Sequence, residues 1–302
     1  MKTDIAALNL ITIDFVYSGL ERLPGLGEEV ATTQLDLALG GGPVASLVTA
    51  SRLGAKVNLA TSLGDDRFSL LARSFLEREQ VPYRSFETAV HKGQSPVNVS
   101  SVMSIPELDR SFVSYFPDTE FYTHPSEEVF EFLRESRYCI VSSPNAELFR
   151  RLKASGCRVV YDVGWSDGLC IESIADVLSS VYLFAPNEKE ALKLTDTDNP
   201  RDALLRLADY VEQPIVKCGK DGALFLRDRE IVHAAPFAFQ AVDTTGAGDA
   251  FLGGVVYGLS QNWGLGRCVE LGNYTGGKAT TGIGCLTARA SLQEFDELCR
   301  NR

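Results

Sequence analysis

The sequence predicts a three-layer α/β fold, in which a mostly parallel central sheet is flanked by helices and accompanied by a small β-sheet. Short apolar runs alternate with amphipathic helical segments, which is typical of parallel strands joined by crossover helices. Residues 97–113 instead alternate apolar and polar positions, which indicates an antiparallel hairpin with one solvated face. We expect one domain over residues 1–302, with the small sheet built from about 15–35 and 94–116.

The composition narrows the class of function. With 302 residues, 45% of them hydrophobic and 23% charged, the chain is typical of a globular protein. Its net charge of −11 disfavours nucleic acid and anionic membranes as partners, and an anionic substrate would need a locally basic site. No run approaches the ~18 apolar residues of a membrane span. Seven scattered cysteines without a Cys-x-x-Cys pair indicate a reducing compartment, so we expect a cytoplasmic protein.

The first segments point to a ligand site near the N-terminus. The apolar run Ile5 to Ile13 predicts a buried strand that ends at Asp14, and ligands bind at the carboxyl ends of strands in open α/β sheets. Three glycines, 40–42, then precede a helix whose first turn holds Pro43. Consecutive glycines allow the backbone to approach a ligand closely.

Two later stretches also suit a binding site. Asn187 follows the apolar run 181–184, and with Glu190 it forms a capping-box pattern at a helix start. Residues 214–223 read as strand, glycine turn and strand, and Lys217 on the first strand could meet a phosphate as a point charge.

The most informative stretch is residues 241–251. An apolar run ends at Asp243, two threonines and Gly-Ala-Gly follow, and Asp249 then opens a helical pattern. Glycine amides and a helix N-terminus together favour an anion. An acidic residue in the first helical turn is a common stabilising feature. Asp249 could also serve as a base that takes a proton from a hydroxyl while the amides hold a phosphoryl group.

Residues 241–251 closely resemble the C-terminal signature of the ribokinase-like (PfkB-type) small-molecule kinases. The Gly41-Gly42 segment resembles the first signature of that family, about two hundred residues earlier. The resemblance covers nearly the whole chain. It implies a ribokinase-like fold whose small sheet is a lid over the substrate and often a dimer surface.

The resemblance also implies roles for individual residues. It implies catalysis by Asp249 as base with an anion hole at Gly246, Ala247 and Gly248, and substrate binding by Asp14, Gly41, Gly42 and Ser46. It implies ATP binding by Asn187, Glu190, Lys217, Gly219, Gly222 and Asn273. Glu190 would act on Mg²⁺ through water, and the backbone at Asp243 and Thr245, with the 282–284 loop, would hold a monovalent cation such as K⁺.

Some residues on the predicted substrate side differ from the family pattern. Asn9-Leu10 stands where Gly-Asn or Gly-Asp is usual, and Ser46 stands where Asn is usual. Gln94 and Asn98 are candidate lid contacts, and Asp162, after a strand, has no assigned role. The sequence therefore predicts an ATP-dependent kinase of a sugar-like hydroxyl and leaves two alternatives open, a nucleoside kinase and a sugar-binding relative without transfer activity.

Overall fold

The computed structural model describes residues 3–88, 94–105 and 110–301. Its strands, in chain order, are β1 (Thr3–Leu8), β2 (Thr12–Ser18), β3 (Gln34–Gly40), β4 (Val57–Thr61), β5 (Tyr83–Ser85), β6 (Asn98–Ser104), β7 (Arg110–Tyr115), β8 (Ser136–Val141), β9 (Arg158–Tyr161), β10 (Val181–Phe184), β11 (Gln213–Lys217), β12 (Ala223–Arg227) and β13 (Glu230–Ala234). Its helices are α1 (Gly42–Arg52), α2 (Arg67–Arg78), α3 (Glu127–Leu133), α4 (Ala146–Ala154), α5 (Ile171–Leu178), α6 (Glu188–Thr195), α7 (Pro200–Leu207), α8 (Ala247–Ser260), α9 (Leu265–Ala279) and α10 (Leu292–Arg300).

The large sheet has the strand order β13-β12-β11-β10-β9-β8-β1-β4-β5. The strands from β11 to β5 run parallel, and only the pairs β11–β12 and β12–β13 are antiparallel. The predicted mostly parallel central sheet is therefore confirmed. Its parallel carboxyl ends lie at one edge, which is where a ligand site is expected.

Helices cover both faces of this sheet, because apolar side chains on the two faces form two separate cores. One core combines residues of α1, α2, α8, α9 and α10 with the sheet, and the other combines residues of α3 to α7 with it. The three-layer prediction is confirmed, and α1 and α8, which carry the two glycine signatures, lie on the same face.

The small sheet has the order β3-β2-β6-β7. The predicted hairpin is present as the antiparallel pair β6–β7, and its predicted turn at 106–109 lies outside the described residues. The other two strands are shifted from the expected 15–35, since β2 begins at Thr12 and β3 begins only at Gln34.

The prediction of one strand from Ile5 to Ile13 is wrong. The chain leaves the large sheet after Leu8, crosses over at residues 9–11 and enters the small sheet at Thr12. Leu10 donates its backbone N–H to the Tyr122 hydroxyl at 2.6 Å instead of to a neighbouring strand. The run is mostly apolar because both halves are buried, and such a pattern does not reveal a change of sheet.

No described helix is long and apolar enough to cross a membrane.

Candidate active site

The turn before α8 is fixed by the side chain of Asp243. Its Oδ1 accepts hydrogen bonds from the backbone N–H and the hydroxyl of Thr245, at 2.9 and 2.6 Å, and its Oδ2 accepts from the Gly284 N–H at 2.8 Å. Gly246 then adopts a left-handed conformation with φ of 73° as the N-cap of α8. A Cβ on Gly246 would lie 2.0 Å from the Cβ of Cys285, so only glycine fits there.

Helix α8 packs closely on its neighbours and so holds Asp249 in place. A Cβ at Gly253 would lie 2.5 Å from the Ser46 carbonyl on α1, and one at Gly254 would lie 2.3 Å from the Thr275 hydroxyl on α9. A larger residue at either position would collide with the neighbouring helix. The first turn of α8 is therefore positioned by α1 and α9 as well as by its own cap.

Three carboxylates and one ammonium group meet where α8 begins. The pKa of Asp249 is raised to about 7, mainly by burial and also by the charge of Asp162, while the charge of Lys217 opposes the rise. Burial also raises the pKa values of Asp162 and Glu190. Lys217 Nζ lies 3.8 Å from Asp162 Oδ1, and both side chains are largely buried. Asp249 thus titrates near neutrality, which suits a general base.

A cavity of about 890 Å³ opens beside Asp249 at the carboxyl ends of the parallel strands. Its lining combines backbone glycines, hydroxyl and amide side chains and the charged cluster: Asn9, Leu10, Thr12, Gly41, Gly42, Pro43, Asn98, Phe116, Pro117, Thr119, Tyr122, Ser142, Ser143, Pro144, Asp162, Val163, Gly164, Asn187, Glu190, Lys217, Gly219, Thr244, Gly246, Gly248 and Asp249. Because it is lined by Gly41 and Gly42, to which the resemblance assigns substrate binding, we call it the acceptor cavity.

A second cavity of about 540 Å³ adjoins the first and has a mostly apolar wall. It is lined by Lys217, Gly219, Lys220, Gly222, Pro236, Phe237, Ala238, Phe239, Ala241, Thr244, Ala247, Gly248, Phe251, Asn273, Gly276, Gly277 and Thr280. Because it is lined by residues to which the resemblance assigns ATP binding, among them Gly222 and Asn273, we call it the nucleotide cavity. Lys217 and Gly248 belong to both linings, so the two cavities meet at the start of α8.

The capping box at α6 is present and faces the acceptor cavity. Asn187 Oδ1 accepts from the Glu190 N–H at 2.9 Å, and Glu190 Oε2 accepts from the Asn187 N–H at 2.8 Å. Within the described ranges, no group of three or more His, Cys, Asp or Glu side chains is arranged so that it could hold a metal ion by itself. Mg²⁺ is commonly held by one or two carboxylates together with phosphates and waters, so the Glu190 carboxylate in the cavity lining fits such an ion.

The β11–β12 turn and α9 shape the nucleotide cavity. Gly222 has φ of 85°, and a Cβ there would lie 2.2 Å from the Ala234 carbonyl. The Asn273 amide nitrogen donates to the carbonyls of Ala234 and Ala235, at 2.9 and 3.1 Å. Asn273 therefore lines the cavity and also ties its wall to the end of β13.

Only some of the residues predicted to bind substrate line the acceptor cavity. Gly41 and Gly42 line the acceptor cavity, and a Cβ on Gly42 would lie 2.9 Å from Asp249 Oδ1. Ser46 is fully buried, and its hydroxyl donates to the Asp249 carbonyl at 2.9 Å, so the prediction that Ser46 contacts substrate disagrees with its position. Ser46 is absent from the lining of the acceptor cavity.

The predicted place of Asp14 at the end of the first strand requires a correction. It is the third residue of β2 and pairs with Ala38 and Ser100, so it does not close the first strand. Its carboxylate lies against Gly40, where a Cβ would be 2.2 Å from Oδ2, and it is absent from the lining of the acceptor cavity. Burial raises the pKa of Asp14 to about 6.

Residues without a predicted role occupy the substrate side. Asn9 stands at the carboxyl end of β1, where Asp14 was expected, and its Oδ1 accepts from the hydroxyls of Tyr122 and Ser142, at 3.0 and 3.4 Å. Asp162, at the end of β9, could have been found by its place after a buried strand. Tyr122 lies in a loop and carried no sequence signal.

Of the two candidate lid contacts, only one lines the acceptor cavity. Asn98 lines it and donates to the Thr12 hydroxyl at 3.3 Å. Gln94 lies in a separate depression beside Asp65 and Asp66.

The fold agrees with comparisons to known proteins. The model of the pfkB family carbohydrate kinases matches residues 2–291. A 5-dehydro-2-deoxygluconokinase of Clostridium tetani is 23% identical over 99% of this chain and 93% of its own length. A deoxyribokinase of Salmonella typhi is 25% identical over 97% of this chain and 98% of its own. Arabidopsis thaliana ribokinase, solved with ribose and ATP, superposes with a TM-score of 0.82 at 20% identity, covering 99% of both chains.

Proposed function

Because the chain belongs to the pfkB family of carbohydrate kinases, we propose that it transfers the γ-phosphoryl group of ATP to a hydroxyl of a sugar or sugar-like small molecule. One observation carries the proposal. Asp249, whose pKa is raised to about 7, lines the acceptor cavity, and its neighbour Gly248 lines both cavities. An acceptor hydroxyl and a nucleotide phosphate could therefore meet beside one base.

In the proposed reaction, Asp249 takes the proton of the acceptor hydroxyl. The hydroxyl oxygen forms a bond to the γ-phosphorus of ATP, and the bond between that phosphorus and the leaving oxygen of ADP breaks. The backbone N–H groups of Gly246, Ala247 and Gly248 and the helix dipole favour the negative charge of the transferring group. The Ala247 N–H donates weakly to the Thr244 carbonyl, at 3.3 Å, and would be released when an anion binds.

For the nucleotide, we propose binding by Asn187, Glu190, Lys217, Gly219, Gly222 and Asn273. Lys217 joins the two cavities, so its ammonium group is placed to attract a phosphate. Phe237 and Phe239 give the nucleotide cavity aromatic walls suited to a purine. Glu190 would hold Mg²⁺ through water, and the ion would supply charge neutralisation on the phosphates.

A monovalent cation such as K⁺ is proposed beside the turn at Asp243 and Thr245. The Gly284 N–H donates to Asp243 Oδ2 at 2.8 Å, and the N–H groups of residues 242 and 243 donate to the Thr280 carbonyl. The two backbone segments required for such a site are therefore adjacent. Added K⁺ should raise the transfer rate relative to tetramethylammonium at equal ionic strength.

The proposal is tested by measuring ADP formation over a panel of sugars, polyols and nucleosides with Mg·ATP. We expect at least one acceptor to be phosphorylated, and we expect Asp249→Asn to lose turnover by at least ~10²-fold while it still binds ATP. The matched control is Asp198→Asn, which changes an exposed aspartate in the same way and should retain full activity. Near-normal turnover in Asp249→Asn would refute the base assignment.

The same panel separates the alternatives. Phe116, at the end of β7, is 69% exposed and lines the acceptor cavity, where an aromatic base could stack on it. If the protein is a nucleoside kinase, the panel should show faster ADP formation with nucleosides than with free sugars. A sugar-binding relative without transfer activity would bind acceptors and form no ADP with any of them.

We also propose a cytoplasmic homodimer that associates through the lid. Leu35 and Leu37 of β3 and Val113 of β7 share one face of the small sheet, because they pair in register with Tyr17, Phe15 and Ser101 respectively across the central strands. The three are 54%, 43% and 66% exposed. An apolar sheet face of this kind favours association with a second copy. None of the seven cysteines, all of which lie within the described residues, forms a disulfide, and this supports a reducing compartment.

A further inference from the structure

The turn that carries the proposed anion hole rests on a short segment, residues 284–286. Gly284 donates its backbone N–H to Asp243 Oδ2 at 2.8 Å, and Asp243 fixes the turn before α8. Cys285 packs directly on Gly246, since a Cβ on that glycine would lie 2.0 Å from the Cys285 Cβ. The left-handed conformation of Gly246 is therefore supported from behind by the 284–286 segment.

The same segment is also tied to the small sheet. The Cys285 thiol donates to the Leu39 carbonyl at 3.2 Å, and Leu39 stands in the last turn of chain before the Gly41-Gly42 signature, on β3. Both Cys285 and Leu39 are buried. In close-packed surroundings of this kind, a residue does not shift without displacing its neighbours. A displacement of residue 286 would therefore be passed on to Cys285 and from there to Gly246.

Arg52, the last residue of α1, holds the third residue of this segment. Its Nη1 donates to the Leu286 carbonyl at 2.7 Å, and its Nε and Nη2 donate to Glu79 Oε2 at 2.9 and 2.7 Å. The side chains of Arg52 and Glu79 are only 13% and 3% exposed. Because a guanidinium group has fixed donor directions, Arg52 holds the Leu286 carbonyl at a defined place relative to Glu79, the residue that ends α2.

We infer that Arg52 is a positioning residue for the anion hole, that it acts through the 284–286 segment, and that Glu79 orients its guanidinium group. The inference rests on the proposed function, since it concerns the amides that would face the transferring phosphoryl group. Arg52 is absent from the linings of the acceptor and nucleotide cavities, so its effect on the reaction passes through the backbone. Such amides stabilise charge only when they are aligned with it.

Arg52→Met tests the inference, because methionine keeps an unbranched side chain and removes every donor. We expect kcat to fall about tenfold while the KM values for acceptor and ATP stay near wild type, since misaligned amides weaken the transition state more than the bound reactants. Arg52→Lys should retain part of the lost rate, because one ammonium group cannot reproduce both sides of the guanidinium fork. Steady-state kinetics on an acceptor found with the panel give these constants.

Arg137→Met is the matched control. Arg137 is also partly buried, and it donates to the Ser260 carbonyl at 2.6 Å, at the opposite end of α8. The control therefore removes the same kind of bond to a backbone carbonyl without touching the 284–286 segment. We expect Arg137→Met to lower the melting temperature and to keep kcat near wild type. Equal losses of kcat in Arg52→Met and Arg137→Met would overturn the inference.

A double variant separates positioning from folding. Arg52→Met leaves a buried Glu79 carboxylate that has lost its two hydrogen bonds from Arg52, and this costs stability. Adding Glu79→Gln removes that charge, so the double variant should melt at a higher temperature than Arg52→Met and should keep the low kcat. If Arg52→Met does not fold, the double variant takes its place in the comparison with Arg137→Met. A kcat that returns to wild type together with the melting temperature would assign Arg52 a role in folding alone.

Failure of the proposed function gives a different result. A wild-type protein that forms no ADP with any acceptor would refute the proposed function and the inference with it. An active wild-type protein whose Arg52→Met variant keeps full kcat would refute the inference alone.

Discussion

The Ser46 hydroxyl donates a 2.9 Å hydrogen bond to the backbone carbonyl of Asp249, and this bond joins α1 to α8. Ser46 has no exposed surface. At the start of the same helix, Gly42 leaves room for the Asp249 carboxylate, since a Cβ there would lie 2.9 Å from Oδ1. Helix α1 therefore constrains both the backbone and the side chain of the proposed base.

Ser46→Ala should lower kcat about 10-fold, with KM values near wild type, because a base displaced by a fraction of an ångström loses alignment with the hydroxyl. The matched control is Thr275→Val, which removes a 2.7 Å hydrogen bond to the next carbonyl of α8, that of Ala250. Both variants should lose about 1 kcal/mol of stability. Equal activity losses in the two variants would assign Ser46 a purely structural role.

Gly42→Ala should reduce kcat by at least 10-fold while the protein remains folded. The added methyl group would meet Asp249 Oδ1 at 2.9 Å and Asp162 Oδ2 at 3.3 Å, so one of the two carboxylates must move. Gly168→Ala is the control, since Gly168 is exposed and nothing lies within 4 Å of its Cβ position. Steady-state kinetics give kcat for both variants, and thermal unfolding shows whether both proteins are folded.

The layers of the fold could be predicted from the sequence, and so could the turn and helix start that carry the proposed anion hole and base. The residues that line the acceptor side of the cavity could be predicted less well. Gly246, Gly248 and Asp249 lie in one continuous stretch, and local backbone rules suffice to place them on a turn and a helix start. The acceptor side instead joins Asn9 to Tyr122, which are far apart in sequence and in contact only through tertiary structure. The misplacement of Asp14 has the same origin, because a buried run gave no sign of where the chain changes sheets.

The pH dependence of kcat/KM should report the ionisation of Asp249. A base must be deprotonated, so activity should rise with pH and level off above a midpoint at about 7. Lys217→Met should move this midpoint upward by about one pH unit, because the ammonium group favours the charged carboxylate. The control is Lys189→Met, which removes the charge of an exposed lysine and should leave the midpoint unchanged. A midpoint that stays fixed or falls in Lys217→Met would contradict the assignment.

Asp249→Asn should make the protein more stable at pH 8, by about 1–2 kcal/mol. The pKa of Asp249 is raised from 3.8 to about 7, so the folded state holds this proton more tightly than the unfolded state does. Wild-type stability contributed by this group is therefore present below pH 3.8 and is lost as the pH rises through 7. Thermal unfolding should show a gap between variant and wild type at pH 8 that closes toward pH 4. A lower melting temperature for Asp249→Asn at pH 8 would contradict this linkage.

A charge on the exposed lid face should prevent dimerisation. Leu35→Glu and Val113→Glu would each place a carboxylate on the apolar face of the small sheet, where a second copy would have to bury it at considerable cost. Light scattering with size-exclusion chromatography should show a dimer for the wild-type protein and monomers for both variants. The control is Leu205→Glu, since Leu205 is a similarly exposed leucine on α7, on the main domain. A monomeric wild-type protein, or dimers that persist in both lid variants, would show that this face does not form the interface.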